Sequence, residues 1–475
     1  MTERNYTTVN PCVMCQPMGS VMAFKGIENS MVLMHGSQGC STYMRLHLAH
    51  HFREPVDIAS TSLSERGAVY GGSENLKKGL KNVMSRYHPK VIGVTTTCLA
   101  ETIGDDVERI LQEFREEEKD AEDVHIISVS TPSYEESHAT GYIKAVEAIV
   151  RYFTESGVSK DIFNNKLNVV LGENIAPEDI REIKRILSRN VGPRSFIFTP
   201  DTSETFDAPM TGKAEKIFPG GTPLSEIADM KNCAASIGLG ITSDNRAIDY
   251  LEGKYNVPAK RVPMPIGLEY SDRFLATLSE ITGTEVPEMY KKERGRLIDA
   301  MVDVHKYLYG TRVAIYGDPE MVLGLLSLSL ENGMYPVLVS PSCKTPAFKE
   351  HAKERIDRMN LDCNVKILEG LDFDAFNDAV KETNPEMLIG NSNGKYISQQ
   401  MRIPLMRVGF PIHDRVGAQR ILMMGYRGTM SMIDRITNTI LEAKDIELEE
   451  KWLQNKENNI PGSCCDCTPA HAHLH

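Results

Sequence analysis

The sequence predicts an α/β protein of three successive domains, each a mostly parallel sheet flanked by helices. Three observations carry this expectation. Short apolar runs of strand length alternate with helix-periodic segments along most of the chain. Those runs repeatedly end in glycine-, proline- or threonine-rich turns, where a strand can feed a crossover helix. A chain of 475 residues is also too long for one core, which bounds the count at two to four domains.

The first domain is placed at residues 1–165. Residues 31–34 read as a strand ending in His35-Gly-Ser-Gln-Gly39. The segment Ser73–Tyr87 sets Leu76, Leu80, Val83, Met84 and Tyr87 on one helical face. Residues 91–95 form a buried strand that runs into Cys98. A helix then begins near Asp105, acidic at its start as the helix dipole favours. His125–Val129 is the next strand and leads to Ser133. The second domain, 166–308, draws strands from 167–171, 195–198 and 234–239. The third, 309–454, draws them from 312–316, 336–339, 364–368 and 387–389, with Gly317-Asp-Pro319 and Gly390-Asn-Ser392 closing two of them. Residues 455–475 are polar, end in Cys464-Cys-Asp-Cys467 and His471-Ala-His-Leu-His475, and are expected to lack regular structure.

Composition narrows the function. Charged residues at 25% and hydrophobic residues at 41% describe a soluble globular protein. A net charge of −12 argues against a general nucleic-acid binder, which needs basic surface. No apolar run reaches the roughly 20 residues that span a bilayer. The start, Met1-Thr-Glu-Arg-Asn-Tyr6, lacks the apolar core of a signal peptide. A cytoplasmic protein is expected, and its ten cysteines then serve packing or metal rather than disulfides. No G-x-x-x-x-G-K-[ST] phosphate cradle is found, so this chain is not expected to hold a nucleotide triphosphate in a P-loop.

Three cysteines and a serine stand out. Their contexts are Cys15-Gln-Pro-Met-Gly19, His35-Gly-Ser-Gln-Gly-Cys40, Thr95-Thr-Thr-Cys98 and Thr131-Pro-Ser133. The last three follow strand-like runs, where ligands gather in open parallel sheets. Soft thiolates converging in a reduced chain point to an iron–sulfur cluster. Cys12 adds a Cys-Val-Met-Cys spacing that is taken as incidental. Asp299 and Asp303 lie four residues apart on one helix face, where bare carboxylates repel and a hard cation would relieve them.

With these residues in place, the sequence resembles the β-subunit of nitrogenase component 1. Matching stretches include His51-Phe-Arg-Glu-Pro55, Val69-Tyr-Gly-Gly72, Thr97-Cys-Leu-Ala-Glu101, Gly104-Asp-Asp106, Glu293-Arg-Gly-Arg296, Tyr316-Gly-Asp-Pro319 and Arg407-Val-Gly-Phe-Pro411. The resemblance implies three Rossmann-like domains in the nitrogenase component 1 architecture. It implies an 8Fe-7S P-cluster shared with an α-subunit, with Cys15, Cys40 and Cys98 as this chain's thiolates and Ser133 as an oxidation-dependent ligand. It implies an α2β2 heterotetramer and an ATP-hydrolysing Fe protein that docks near Tyr70, where the family residue is phenylalanine. It also implies a mononuclear iron or calcium ion at the β–β interface, held by the Arg53 carbonyl, Glu54, Asp299 and Asp303. The chain would relay electrons to an iron–molybdenum cofactor in the α-subunit, and no residue here would act as acid, base or nucleophile. The paralogous cofactor-assembly scaffold commonly lacks the first and third cysteines, which are present here. Vanadium, iron-only and carbon–sulfur-reducing relatives share the plan; Gly-Ser-Gln-Gly leans toward the molybdenum type.

Overall fold

A computed structural model describes residues 13–458, apart from 119–122, 158, 160–161, 193–194, 211, 213–214, 346 and 360–363. Among the described residues thirteen strands form three sheets, and every ladder within them is parallel. The first sheet comprises β1 (Ser30–His35), β2 (Ala59–Ser60), β3 (Val91–Thr96) and β4 (His125–Val129), in the order β2-β1-β3-β4. The second comprises β5 (Leu167–Val170), β6 (Phe196–Thr199), β7 (Ala235–Leu239) and β8 (Ala259–Val262), in the order β6-β5-β7-β8. The third comprises β9 (Arg312–Gly317), β10 (Tyr335–Pro341), β11 (Lys366–Ile367), β12 (Met387–Gly390) and β13 (Leu405–Arg407), in the order β11-β10-β9-β12-β13. β1 and β3 are buried at every position, as strands covered by helices on both faces must be.

The helix Ser73–Tyr87 forms as its periodicity dictates, with Leu76, Leu80 and Val83 buried. The helix expected near Asp105 is Val107–Glu117, capped by Asp106, whose side chain accepts from the Arg109 N–H. Three strands escaped the sequence: β2, β8 and β13. The expected strand at 364–368 narrows to β11. The final helix, Gly425–Asn458, carries regular structure into residues 455–458, where none was expected. Cys12 and the terminal cysteines and histidines lie outside the described residues.

One cluster of buried side chains joins the first and second sheets and another joins the second and third, while two smaller clusters pack on the first and the third sheet alone. The helix Gln16–Lys25 is buried from Gln16 to Phe24 and packs on the helix His138–Glu155. Glycines let the two backbones touch. A Cβ on Gly19 would sit 1.8 Å from the His138 carbonyl oxygen, and one on Gly141 2.0 Å from that of Gln16. Any side chain at either position would push the helices apart and move Cys15 with them. Among the described residues, no helix is long and apolar enough to cross a membrane.

Candidate cluster-binding site

Each thiol stands in or just before the first turn of a helix. Cys15 is the N-cap of Gln16–Lys25, Cys40 lies in the first turn of Gln38–Phe52 after β1, and Cys98 opens Cys98–Ile103 after β3. First turns carry unpaired N–H groups and a positive dipole end, which favour a thiolate. Ser133 follows β4 and ties two of the three together. Its hydroxyl accepts from the Gln16 N–H at 3.1 Å, beside Cys15, and its own N–H donates to Cys98 Sγ at 3.2 Å. The Gln16 side chain donates to the Pro132 carbonyl at 3.1 Å and holds the Ser133 loop against Cys15. Ser37 Oγ donates to Cys40 Sγ at 3.5 Å.

Partial desolvation by the surrounding loops raises the Cys15 thiol although the residue itself is exposed; the Ser133 hydroxyl opposes this, and the charges of Cys98 and Cys40 add to it. Cys40 and Cys98 therefore both lie within electrostatic reach of Cys15. The three thiols do not converge on one point, since among the described residues no three His, Cys, Asp or Glu side chains are grouped to hold a metal ion. Cys15 is exposed, while Cys40, Cys98 and Ser133 are half-buried, so the thiols open onto a face of the chain.

Two buried histidines brace these loops, and sequence reasoning gave neither a role. Fully buried His35 contacts Thr61 Oγ1 through Nδ1 at 3.1 Å and Asp105 Oδ2 through Nε2 at 3.0 Å. Burial lowers its pKa against the pull of Asp105. Asp105 in turn accepts the Gly72 N–H with both oxygens at 3.0 Å. A Cβ on Gly72 would lie 2.4 Å from Asp105 and 2.7 Å from His35. This network joins the loops of Cys40 and Cys98 to the helix Glu65–Tyr70, whose Val69 and Tyr70 are 75% and 83% exposed. His138 accepts the Met14 N–H on Nδ1 at 3.3 Å and presents Nε2 to Asp318 Oδ1 at 3.1 Å. The sequence signal for both was faint: one histidine ends a strand and the other opens a helix.

Arg53, Glu54, Asp299 and Asp303 are not brought together within the chain. Arg53 ends the helix Gln38–Phe52 in the left-handed region, with φ at 60°, and its guanidinium donates to the His413 and Arg415 carbonyls. Burial and the neighbouring Asp207 charge raise the Glu54 carboxyl. Asp299 and Asp303 are exposed on the helix Glu288–Leu308. Among the described residues no hydrogen bond or ion pair joins one pair to the other.

A family model described as nitrogenase component 1 type oxidoreductase matches residues 15–441. The chain belongs to this family. Among its relatives, the nitrogenase molybdenum-iron protein beta chain of Methanococcus maripaludis is 42% identical, covering 94% of this chain and 97% of that one. The protein of the same name from Clostridium pasteurianum is 37% identical, covering 95% and 97%. The solved structure of nitrogenase Cp1 at pH 6.5 superposes with a TM-score of 0.88 at 36% identity, covering 93% of this chain and 95% of that chain. Family membership makes this an oxidoreductase chain of nitrogenase type and agrees with the three-sheet α/β architecture. The family match begins at Cys15, the first of the three thiols.

Proposed function

We propose that this chain is the electron-relay subunit of a molybdenum nitrogenase component 1, holding half of a P-cluster on the Cys15–Cys40–Cys98–Ser133 face. The observation that carries the reading is Ser133, which bonds beside Cys15 with its hydroxyl and to Cys98 with its N–H, while Cys40 stands within electrostatic reach. The donor set fits the group. Three thiols that are near one another yet grouped on no single ion suit a polynuclear iron–sulfur centre, and their open face suits one completed by an α-subunit. When bound, such a cluster supplies one-electron redox chemistry at a potential set by its surroundings.

The chain's own residues supply the rest. Cys15, Cys40 and Cys98 hold iron as thiolates. The Ser133 N–H donates to the Cys98 sulfur and tunes it. The Ser133 hydroxyl is placed to give up its proton and offer a hard oxygen ligand, coupling electron loss to proton loss. Exposed Tyr70 anchors the docking Fe protein, and the His35–Asp105–Gly72 network fixes that anchor relative to the thiols. A cluster held here would lie between the docked Fe protein and the α-subunit's cofactor and would supply the electron relay for dinitrogen reduction. Arg53 and Glu54 of one copy and Asp299 and Asp303 of the next hold a structural ion in an α2β2 assembly.

Replacing Cys98 tests the reading. In the anaerobically purified α–β complex, Cys98→Ala is expected to lower cluster iron and abolish substrate reduction. Unchanged substrate reduction would remove Cys98 from the relay.

A further inference from the structure

The final helix, Gly425–Asn458, packs along Glu288–Leu308, the helix that bears Asp299 and Asp303. It then runs on for about 24 Å past Glu442, at the rise of an α-helix. Every residue from Lys444 to Leu453 is exposed. Helices in proteins are held mainly by packing an apolar face, so a stretch bare on all sides calls for a partner. This stretch also lies beyond residues 15–441, the part of the chain that the family model matches.

One face of the helix changes surroundings along its length. Arg435, Thr439 and Glu442 line a cavity of about 580 Å³, together with Arg407, Arg415 and Arg420. At the same helical spacing that face continues to Ile446, Glu449, Glu450 and Leu453. The cavity is basic, with Glu442 its one lining acid. Arg407 is engaged by Asp414, Arg415 lies 3.6 Å from the same carboxylate, and Arg420 lies 3.8 Å from Asp207. Half-buried Arg435 has no hydrogen bond or ion pair to its guanidinium among the described residues. Val416, which also lines the cavity, is 78% exposed. The helix end has the opposite character. Asp445, Glu447, Glu449 and Glu450 outnumber Lys444 and Lys451, and Lys451 is paired with Glu447.

We propose that the exposed helix end of one copy docks against the arginine-lined cavity of a second copy of this chain. Glu449 and Glu450 then face Arg415, Arg420 and Arg435, and Ile446 and Leu453 cover Val416. The charges are complementary and each patch carries apolar surface. The contact is two-fold, since each copy gives its helix and receives its partner's. The inference rests on the α2β2 reading above and deepens it. That reading sets Arg53 of one copy near Asp299 and Asp303 of the next. The Arg53 guanidinium donates to the His413 and Arg415 carbonyls, in the loop that lines the cavity. The helix of Asp299 and Asp303 carries the final helix along its side. Joining the two halves of the ion site therefore brings the cavity of one copy toward the helix end of the other.

The test is a charge exchange in the assembled, anaerobically purified complex, read by sedimentation velocity on dilution with iron measured alongside. Glu449→Lys with Glu450→Lys, and separately Arg415→Glu with Arg420→Glu, should each raise the concentration at which the tetramer splits into αβ pairs by about tenfold or more. All four side chains are exposed, so the fold should tolerate the changes. Each copy carries both patches, so a chain with all four substitutions restores opposite signs and should recover most of the wild-type assembly, with iron unchanged throughout. A tetramer indifferent to both pairs, or loosened by them without recovery in the combined variant, overturns the docking and leaves the α2β2 reading standing. Release of the α-subunit in place of αβ pairs assigns the helix end to that subunit and also overturns it. A wild-type complex that is never tetrameric brings down the α2β2 reading itself, and the docking with it.

Discussion

Arg407 and Asp414 face each other across a single turn. Arg407 Nε lies 2.9 Å from both carboxylate oxygens, Nη2 lies 2.7 Å from one, and the Ser392 hydroxyl donates to the same carboxylate. Burial raises the Asp414 carboxyl, but Arg407 and Ser392 outweigh it and hold the group at about 2 against an ordinary 3.8. A depressed carboxyl contributes stability above its unfolded pKa and loses it as pH falls through the folded one. Between about pH 4 and pH 2, the thermal midpoint of the wild-type chain should therefore fall more steeply than that of Asp414→Asn. Parallel curves would deny the clasp. The same scale shows what a sequence can carry. Cys40, Cys98 and Ser133 were legible because each follows an apolar strand. Cys15 follows none; its place depends on Gly19 and Gly141 letting two helices touch, a contact 122 residues apart in sequence that no local pattern records.

At the level of elements, the short helix Glu65–Tyr70 presents Val69 and Tyr70 to solvent while Gly72 fastens its end to Asp105. An exposed ring on a fixed support is a good interface anchor. In the assembled complex, Tyr70→Ala should raise the Fe protein concentration needed for half-maximal activity several-fold, leaving the rate at saturation nearly intact. A fall in the saturated rate alone would place Tyr70 in relay rather than docking. The strands that went unread share a cause. In β8, Lys260 and Arg261 are exposed and only Val262 is buried. An edge strand with one ladder shows too little apolar alternation to be seen. β2 and β13 are only two and three residues long, too short for any periodicity. The long buried strands β1, β3 and β9 were legible because both faces are covered and the apolar run is continuous.

For the whole molecule, the described strands form three parallel sheets that share buried clusters, first with second and second with third, and the proposed site residues divide into two sets. The thiols lie on one face of a single chain, whereas among the described residues no hydrogen bond or ion pair joins Arg53 or Glu54 to Asp299 or Asp303. A site shared between copies has this appearance in one copy, and neither the sequence nor a lone chain can display it. Asp299→Asn with Asp303→Asn should shift the complex from tetramer toward αβ pairs in sedimentation and lose a bound metal ion per interface. Undisturbed assembly and metal content would refute the ion.

The tie from Met14 through His138 to Asp318 also has a consequence in time. A ribosome delivers those residues in that order, and 180 positions separate the histidine from its carboxylate. At roughly 5–20 residues per second, synthesis of that stretch takes on the order of ten seconds or more. The loops of Cys40 and Cys98, which hang on neighbouring strands, can be laid down well before then. The partners of the Cys15 loop, Ser133, Gly141 and then Asp318 through His138, all emerge after β1 and β3, so of the three thiol loops it is the last to gain its full set of contacts.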